Sequence, residues 1–241
     1  MRRVAAHRPG ARALRRRWLA ATFLGETLGF LVPVLAVVLG VNSWNAGARF
    51  LALVLAGAGE GAVLGAAQTR VLRRVLPAFP STAWTLRTAG AAGLAWAIGL
   101  APSSSADIWQ AWPPAVGVGV AVGAGLVLLL SIGTAQWTVL RRHVPAAARW
   151  IGWTAVAWLA GLTVFLLVAT PLWQPGQQVW LSALIGALAG SLMALTMAAV
   201  TGRGLVHLLD DVPPAGPEGS RPPAPPVDGT FDPEQRTTGR P

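Results

Sequence analysis

Two carboxylic acids stand where a carboxylic acid is expensive. Glu26 lies inside the apolar stretch Trp18–Gly40 and Glu60 inside Arg49–Leu72. Each is eight to ten residues from its arginine flank, or ~12–15 Å along a helix rising 1.5 Å per residue. A charged carboxylate at mid-helix costs roughly 2.5–3.5 kcal/mol on insertion scales. The seven strongly apolar residues from Phe50 to Leu64 offset only ~2–4 kcal/mol on the same scale. Glu60 is therefore expected to be protonated, paired or turned toward the interior of a helix bundle. Arg87, one turn inside the next apolar span, is its candidate partner, or else snorkels to the interface. The reading with chemistry in it is a carboxyl pair handling protons or cations, with Glu26, Glu60 and Arg87 as the site. The plainer reading is two protonated carboxyls that hydrogen-bond helices together.

Other reactive groups are sparse. His7, His143 and His207 sit at the margins of apolar spans, and cysteine is absent, so no metal cluster or thiolate site is expected. Ser131 lies in Leu129-Leu130-Ser131-Ile132, which fails the Gly-x-Ser-Gly pattern of rhomboid intramembrane proteases. The expectation is a protein that is not an enzyme and carries no cofactor.

These residues need long helices to position them. Of 241 residues, 54% are hydrophobic and 12% charged, against about 25% charged in a soluble domain. Six runs reach the ~20 apolar residues that cross a bilayer: Trp18–Gly40, Arg49–Leu72, Ala83–Ala101, Ala115–Leu140, Trp150–Thr170 and Val179–Val200. The runs are continuous rather than alternating and too long for barrel strands, which points to helices, each satisfying its own backbone in lipid. All 19 basic residues are arginine, and every one except Arg49 falls before the first run, around the even-to-odd junctions, or after the last. That asymmetry puts both termini in the cytoplasm of a bacterial inner membrane. The opposite loops carry Trp44, Trp109, Trp112 and Trp173, as an interfacial belt does. The net charge of +10 is a topology signal, since the arginines form no continuous face for nucleic acid. Arg15-Arg16-Arg17 before an apolar run looks loosely like an export signal, but the run is long and the first helix is expected to be retained.

The chain also repeats itself. Trp18, Trp84 and Trp150 recur every 66 residues, followed four residues on by Thr22, Thr88 and Thr154. Small residues follow at offsets 7 and 11, so one helical face carries Trp at the cytoplasmic rim, then Thr, then two small residues. A second signature, Gly57, Gly65, Gln68, Val71-Leu72-Arg73-Arg74, returns 68 residues later as Gly125, Gly133, Gln136, Val139-Leu140-Arg141-Arg142. A third copy is degenerate, with Gly190, Thr201, Leu205 and His207 in the corresponding places. The expected fold is all-α, six transmembrane helices built as three parallel two-helix repeats (18–79, 84–146 and 150–208) in a possible pseudo-threefold bundle. A basic segment, 1–17, precedes it, and a Pro-rich tail, 210–241, expected to be disordered, follows. Gly57, Gly61 and Gly65, and also Gly186 and Gly190, make GxxxG steps for close helix packing. The threonines and glutamines are expected to bond across helices at ~0.6–2 kcal/mol each. Arg73, Arg74, Arg141 and Arg142 are stop-transfer charges or anionic-lipid contacts.

Gln136-Trp137-Thr138-Val139-Leu140-Arg141-Arg142 resembles the Q-W-x-V-L-R-R segments repeated in a group of bacterial multi-pass membrane proteins. Gln68-Thr69-Arg70-Val71-Leu72-Arg73-Arg74 departs from that pattern by lacking the Trp. The resemblance covers roughly residues 15–209 and implies the architecture, with no activity attached. The functional expectation is a structural, accessory or partner-binding membrane component. The alternative is a small proton- or cation-coupled transporter or channel using the glutamates.

Overall fold

The computed structural model describes residues 10–39 and 43–210. The basic residues before position 10, the turn at 40–42 and the Pro-rich tail beyond 210 lie outside the described residues. Among the described residues the chain is helical and without strands. The helices are α1 (Ala11–Val38), α2 (Ala46–Val75), α3 (Ser81–Ser104), a short α4 (Ala106–Gln110), α5 (Pro114–Leu140), α6 (Arg149–Leu172) and α7 (Val179–Asp210). Five of them, α1, α2, α5, α6 and α7, are long and apolar enough to cross a membrane. The chain is thus a multi-pass membrane protein by length and composition. The third predicted span, in α3, is long enough but less apolar; it carries Arg87 and ends in Pro102-Ser103-Ser104.

The helix ends follow from local chemistry. Asn45 caps α2 by accepting the Ala48 N–H at 2.9 Å, satisfying one of the otherwise unpaired first-turn donors. Pro114 opens α5, where its missing N–H has no consequence. Arg73 and Arg74 occupy the last turn of α2, where positive charge complements the helix dipole. Two helices run well beyond their apolar cores. α1 begins at Ala11, through the arginines before Trp18, and α7 continues past Val200 to Asp210.

Each long helix packs on its neighbours in chain order: α1 on α2, α2 on α3, α3 on α5, α5 on α6 and α6 on α7. α7 then returns to α1. The result is a closed ring of helices. Its core lies at the arginine-bearing end, where Leu14, Trp18, Leu72, Phe79, Trp84, Leu140, Val144, Trp150, Leu205 and Leu208 form one buried cluster. Toward the other end the helices turn Leu31, Leu35, Leu55, Val118, Val122, Leu167 and Leu184 outward. In water such a surface would be a liability; hydrocarbon covers it without penalty.

Candidate functional site

The carboxyl pair comes together at the α1–α2 contact. A Cβ placed on Gly29 would lie 2.9 Å from the Glu60 carbonyl oxygen and 3.2 Å from its Cγ. The Glu60 stem therefore crosses α1 one turn beyond Glu26. The two carboxyls are close enough to interact electrostatically, and both side chains are half-buried.

Glu60 has a partner, but it is not Arg87. The Trp96 indole N–H donates to Glu60 Oε2 at 2.9 Å. Gly57, one turn from Glu60 on α2, makes room for that indole: a Cβ there would sit 2.0 Å from Trp96 Cδ1. Arg87 lies nine residues before Trp96, ~13 Å along α3, so the two cannot serve the same carboxylate. Its guanidinium instead donates to Thr138 Oγ1 on α5 at 2.9 Å, exposed at the arginine-bearing end. Trp96 is the residue the sequence reading missed. Its signal was available, as an indole deep in an apolar span is a donor that needs an acceptor.

A second polar cluster lies nearer the arginines, where the three repeated tryptophans turn inward. Trp18, Trp84 and Trp150 are 0%, 0% and 1% exposed. They meet inside the ring, with Trp150 edge-on to Trp18 at 5.7 Å and tilted against Trp84 at 6.2 Å between centroids. Burial is tolerable because every indole N–H is satisfied. Trp84 donates to Gln68 Oε1 at 3.0 Å, Trp150 to Gln136 Oε1 at 2.8 Å, and Trp18 to Thr201 Oγ1 at 3.0 Å. An indole can only donate, so each glutamine must turn its oxygen to the ring. That orientation leaves Gln136 Nε2 to donate to Gln68 Oε1 and to Thr88 Oγ1, both at 3.1 Å. Thr88 and Thr154 pass their own protons back to the carbonyls of Trp84 and Trp150. Thr22, in the corresponding place on α1, is 3% exposed and its hydroxyl has no partner.

The glycines divide into two groups. Gly61 faces Ala92 Cβ at 2.5 Å and the Thr88 carbonyl oxygen at 2.8 Å from a hypothetical Cβ, while Gly65 faces Thr85 Cα at 2.9 Å. Gly133 meets Ile151 Cα and Thr154 Cβ, each at 3.1 Å. These close approaches hold α2 against α3 and α5 against α6. Gly125 and Gly190, by contrast, have nothing within 4 Å, and Gly186 meets only the Trp173 ring edge at 3.7 Å. The Gly186/Gly190 step is therefore not a helix contact; Gly161 does that work between α6 and α7, with Met197 Cγ at 2.7 Å. At the charged end Arg73, Arg74, Arg141 and Arg142 are exposed, and Arg141 lies over the Trp137 ring at 5.0 Å.

No protein-family model, curated protein or solved structure matches this chain. The site must be read from its own chemistry. Among the described residues no group of three or more His, Asp or Glu is placed to hold a metal ion. What the geometry offers is one carboxyl pair with an indole donor, and one filled polar core.

Proposed function

We propose that this chain is a non-enzymatic structural, accessory or partner-binding component of a bacterial inner membrane. In this reading six helices, paired as three parallel hairpins, cross the bilayer with both termini in the cytoplasm. The observation that carries it is the filled axis. Three tryptophans and Leu72, Leu140 and Leu205 occupy the ring's interior at the arginine-bearing end, and the indole N–H groups are committed to neighbouring helices. A ring plugged in this way suits a rigid platform better than a conduit along its axis. The threefold arrangement is supported by the equal spacing of the tryptophans and by the return of α7 onto α1. Arg73, Arg74, Arg141 and Arg142 serve this platform as anchors to anionic lipid at the cytoplasmic face.

A second reading is favoured by one observation, the approach of Glu60 to Glu26 beside Trp96. It makes the α1–α2–α3 contact a proton- or cation-handling site off the ring axis. Purified chain in proteoliposomes separates the two. The platform reading expects no flux above empty vesicles for protons and a panel of cations. Flux that vanishes in Glu26→Gln or Glu60→Gln would replace it with transport.

A further inference from the structure

Three arginines edge the contact between α1 and α2. Arg17 lies on α1, Arg70 and Arg74 lie on α2, and all three are exposed. Among the described residues, no hydrogen bond or ion pair engages any of the three guanidinium groups. Their relation across the contact follows from how the two helices pack. A Cβ on Gly25 would meet Ala67 Cβ at 2.9 Å, and one on Gly29 would meet the Glu60 carbonyl oxygen at 2.9 Å, so the helices run antiparallel. One turn nearer the arginine-bearing end Ala21 comes level with Arg70, and a further turn brings Arg17 level with Arg74. Ala21 is half-buried and too short to cover the Arg70 guanidinium. In the hairpin register Ala21 and Arg70 hold the places of Arg87 and Thr138, which meet across the α3–α5 contact in a 2.9 Å bond. The register belongs to the proposed function, whereas the exposures and the α1–α2 packing stand without it.

The charge at this edge is of one sign. The acids of the two helices, Glu26 and Glu60, lie nine and ten residues inward of Arg17 and Arg70, ~14–15 Å along the axis. Guanidinium forks match tetrahedral oxyanions bidentately, and an anion seated between the helices offsets the repulsion among the three cations. We propose that the α1–α2 edge around Arg70 binds the phosphate of an anionic phospholipid. The face of α1 that carries Arg17 supplies the rest of the site. Leu24, Leu28, Leu31 and Leu35 follow Arg17 at offsets of 7, 11, 14 and 18, along one side of the helix, and each is 50–56% exposed. From Leu24 to Leu35 is ~17 Å, about one leaflet of a ~30 Å hydrocarbon core. An acyl chain lying along that track makes the lipid, rather than free phosphate, the occupant. The site gives the anchoring role proposed for Arg74 a defined place, and so rests on the membrane reading of the chain.

The full chain, purified in detergent, is titrated with phosphatidylglycerol and followed by native mass spectrometry. Arg70→Gln should weaken retention by about tenfold, as expected for loss of a charge-assisted hydrogen bond, and Arg17→Gln by about threefold. Arg16→Gln removes the same charge from the next residue of α1, exposed but turned ~100° away, and should change retention less than twofold. All three positions are exposed, so each variant should keep the near-UV circular dichroism of the buried tryptophans. Retention in the wild type that survives millimolar inorganic phosphate supports the lipid as occupant; displacement by phosphate overturns it in favour of a soluble anion. Equal losses in Arg70→Gln and Arg16→Gln, or no loss in Arg70→Gln, overturn the site and leave the platform reading to its flux measurement. A chain that stays dispersed without detergent would instead remove the membrane reading on which both depend.

Discussion

Replacing Gln136 by leucine tests the buried network at its busiest point. Gln136 is 1% exposed and makes three side-chain bonds to three other helices: it accepts from Trp150 on α6 and donates to Gln68 on α2 and Thr88 on α3. Leucine keeps the volume and removes all three. Interhelical hydrogen bonds in membranes average ~0.6 kcal/mol and reach ~1.7, so the sum is roughly 2–5 kcal/mol. The loss is not evenly shared. Gln68 Oε1 still accepts from Trp84, and Thr88 still donates to the Trp84 carbonyl, whereas the Trp150 N–H is left with nothing in a dry interior. Most of the penalty should therefore sit at Trp150. A reversible SDS titration in mixed micelles, followed by near-UV circular dichroism of the tryptophans, measures it. In a cycle with Trp150→Phe, the second substitution should cost about 0.6–1.7 kcal/mol less in the Gln136→Leu background. Additive effects, within ~0.5 kcal/mol, would mean that no bond links these side chains and that the network has been misread.

The same titration reads three further outcomes. Gly61→Val forces a side chain into Ala92 and the Thr88 carbonyl and should cost about 3 kcal/mol or prevent folding, while Gly125→Ala, with open space around it, should stay within ~1 kcal/mol of wild type or gain stability. Thr22→Val removes a buried hydroxyl that has no partner and should stabilise by about 1 kcal/mol, whereas Thr88→Val, which strips Gln136 of an acceptor, should destabilise by a similar amount. Trp96→Phe leaves Glu60 without its donor and should cost about 1–2 kcal/mol, a penalty that shrinks in a Glu60→Met background, where no carboxylate remains to be stranded.

The long helices were legible because hydrophobic length is a one-dimensional property. Their ends were not. A helix propagates through charged residues as readily as apolar ones once a turn exists, so α1 includes Arg12 and Arg15–Arg17 and α7 includes Arg203 and His207. Those extensions are what cover Trp18, Trp84 and Trp150; Leu14 of α1 and Leu208 of α7 lie in the same cluster. The donor to Glu60 was hidden for a related reason. The charge complementarity of Arg87 is visible in a sequence, while the position of Trp96 over Gly57 depends on how α2 and α3 cross. Spacing likewise fails to tell Gly61 from Gly190: both stand in GxxxG steps, and only the first has a neighbour.

The three junctions that carry the tryptophans are not chemically equal. Gln68 and Gln136 each offer both an acceptor and donors, so Trp84, Gln68, Gln136, Thr88 and Trp150 form a connected set spanning α2, α3, α5 and α6. Thr201 has a single proton, which it gives to the Met197 carbonyl. After accepting from Trp18 it has nothing with which to reach a further helix. Trp18 touches the connected set through its ring contact with Trp150. Among the described residues, the junction of α1 with α7 therefore joins the most distant parts of the chain through an indole–hydroxyl bond and apolar packing, while the other two are cross-linked by amides. Closing it restrains the whole intervening chain, at an entropic cost that grows with loop length.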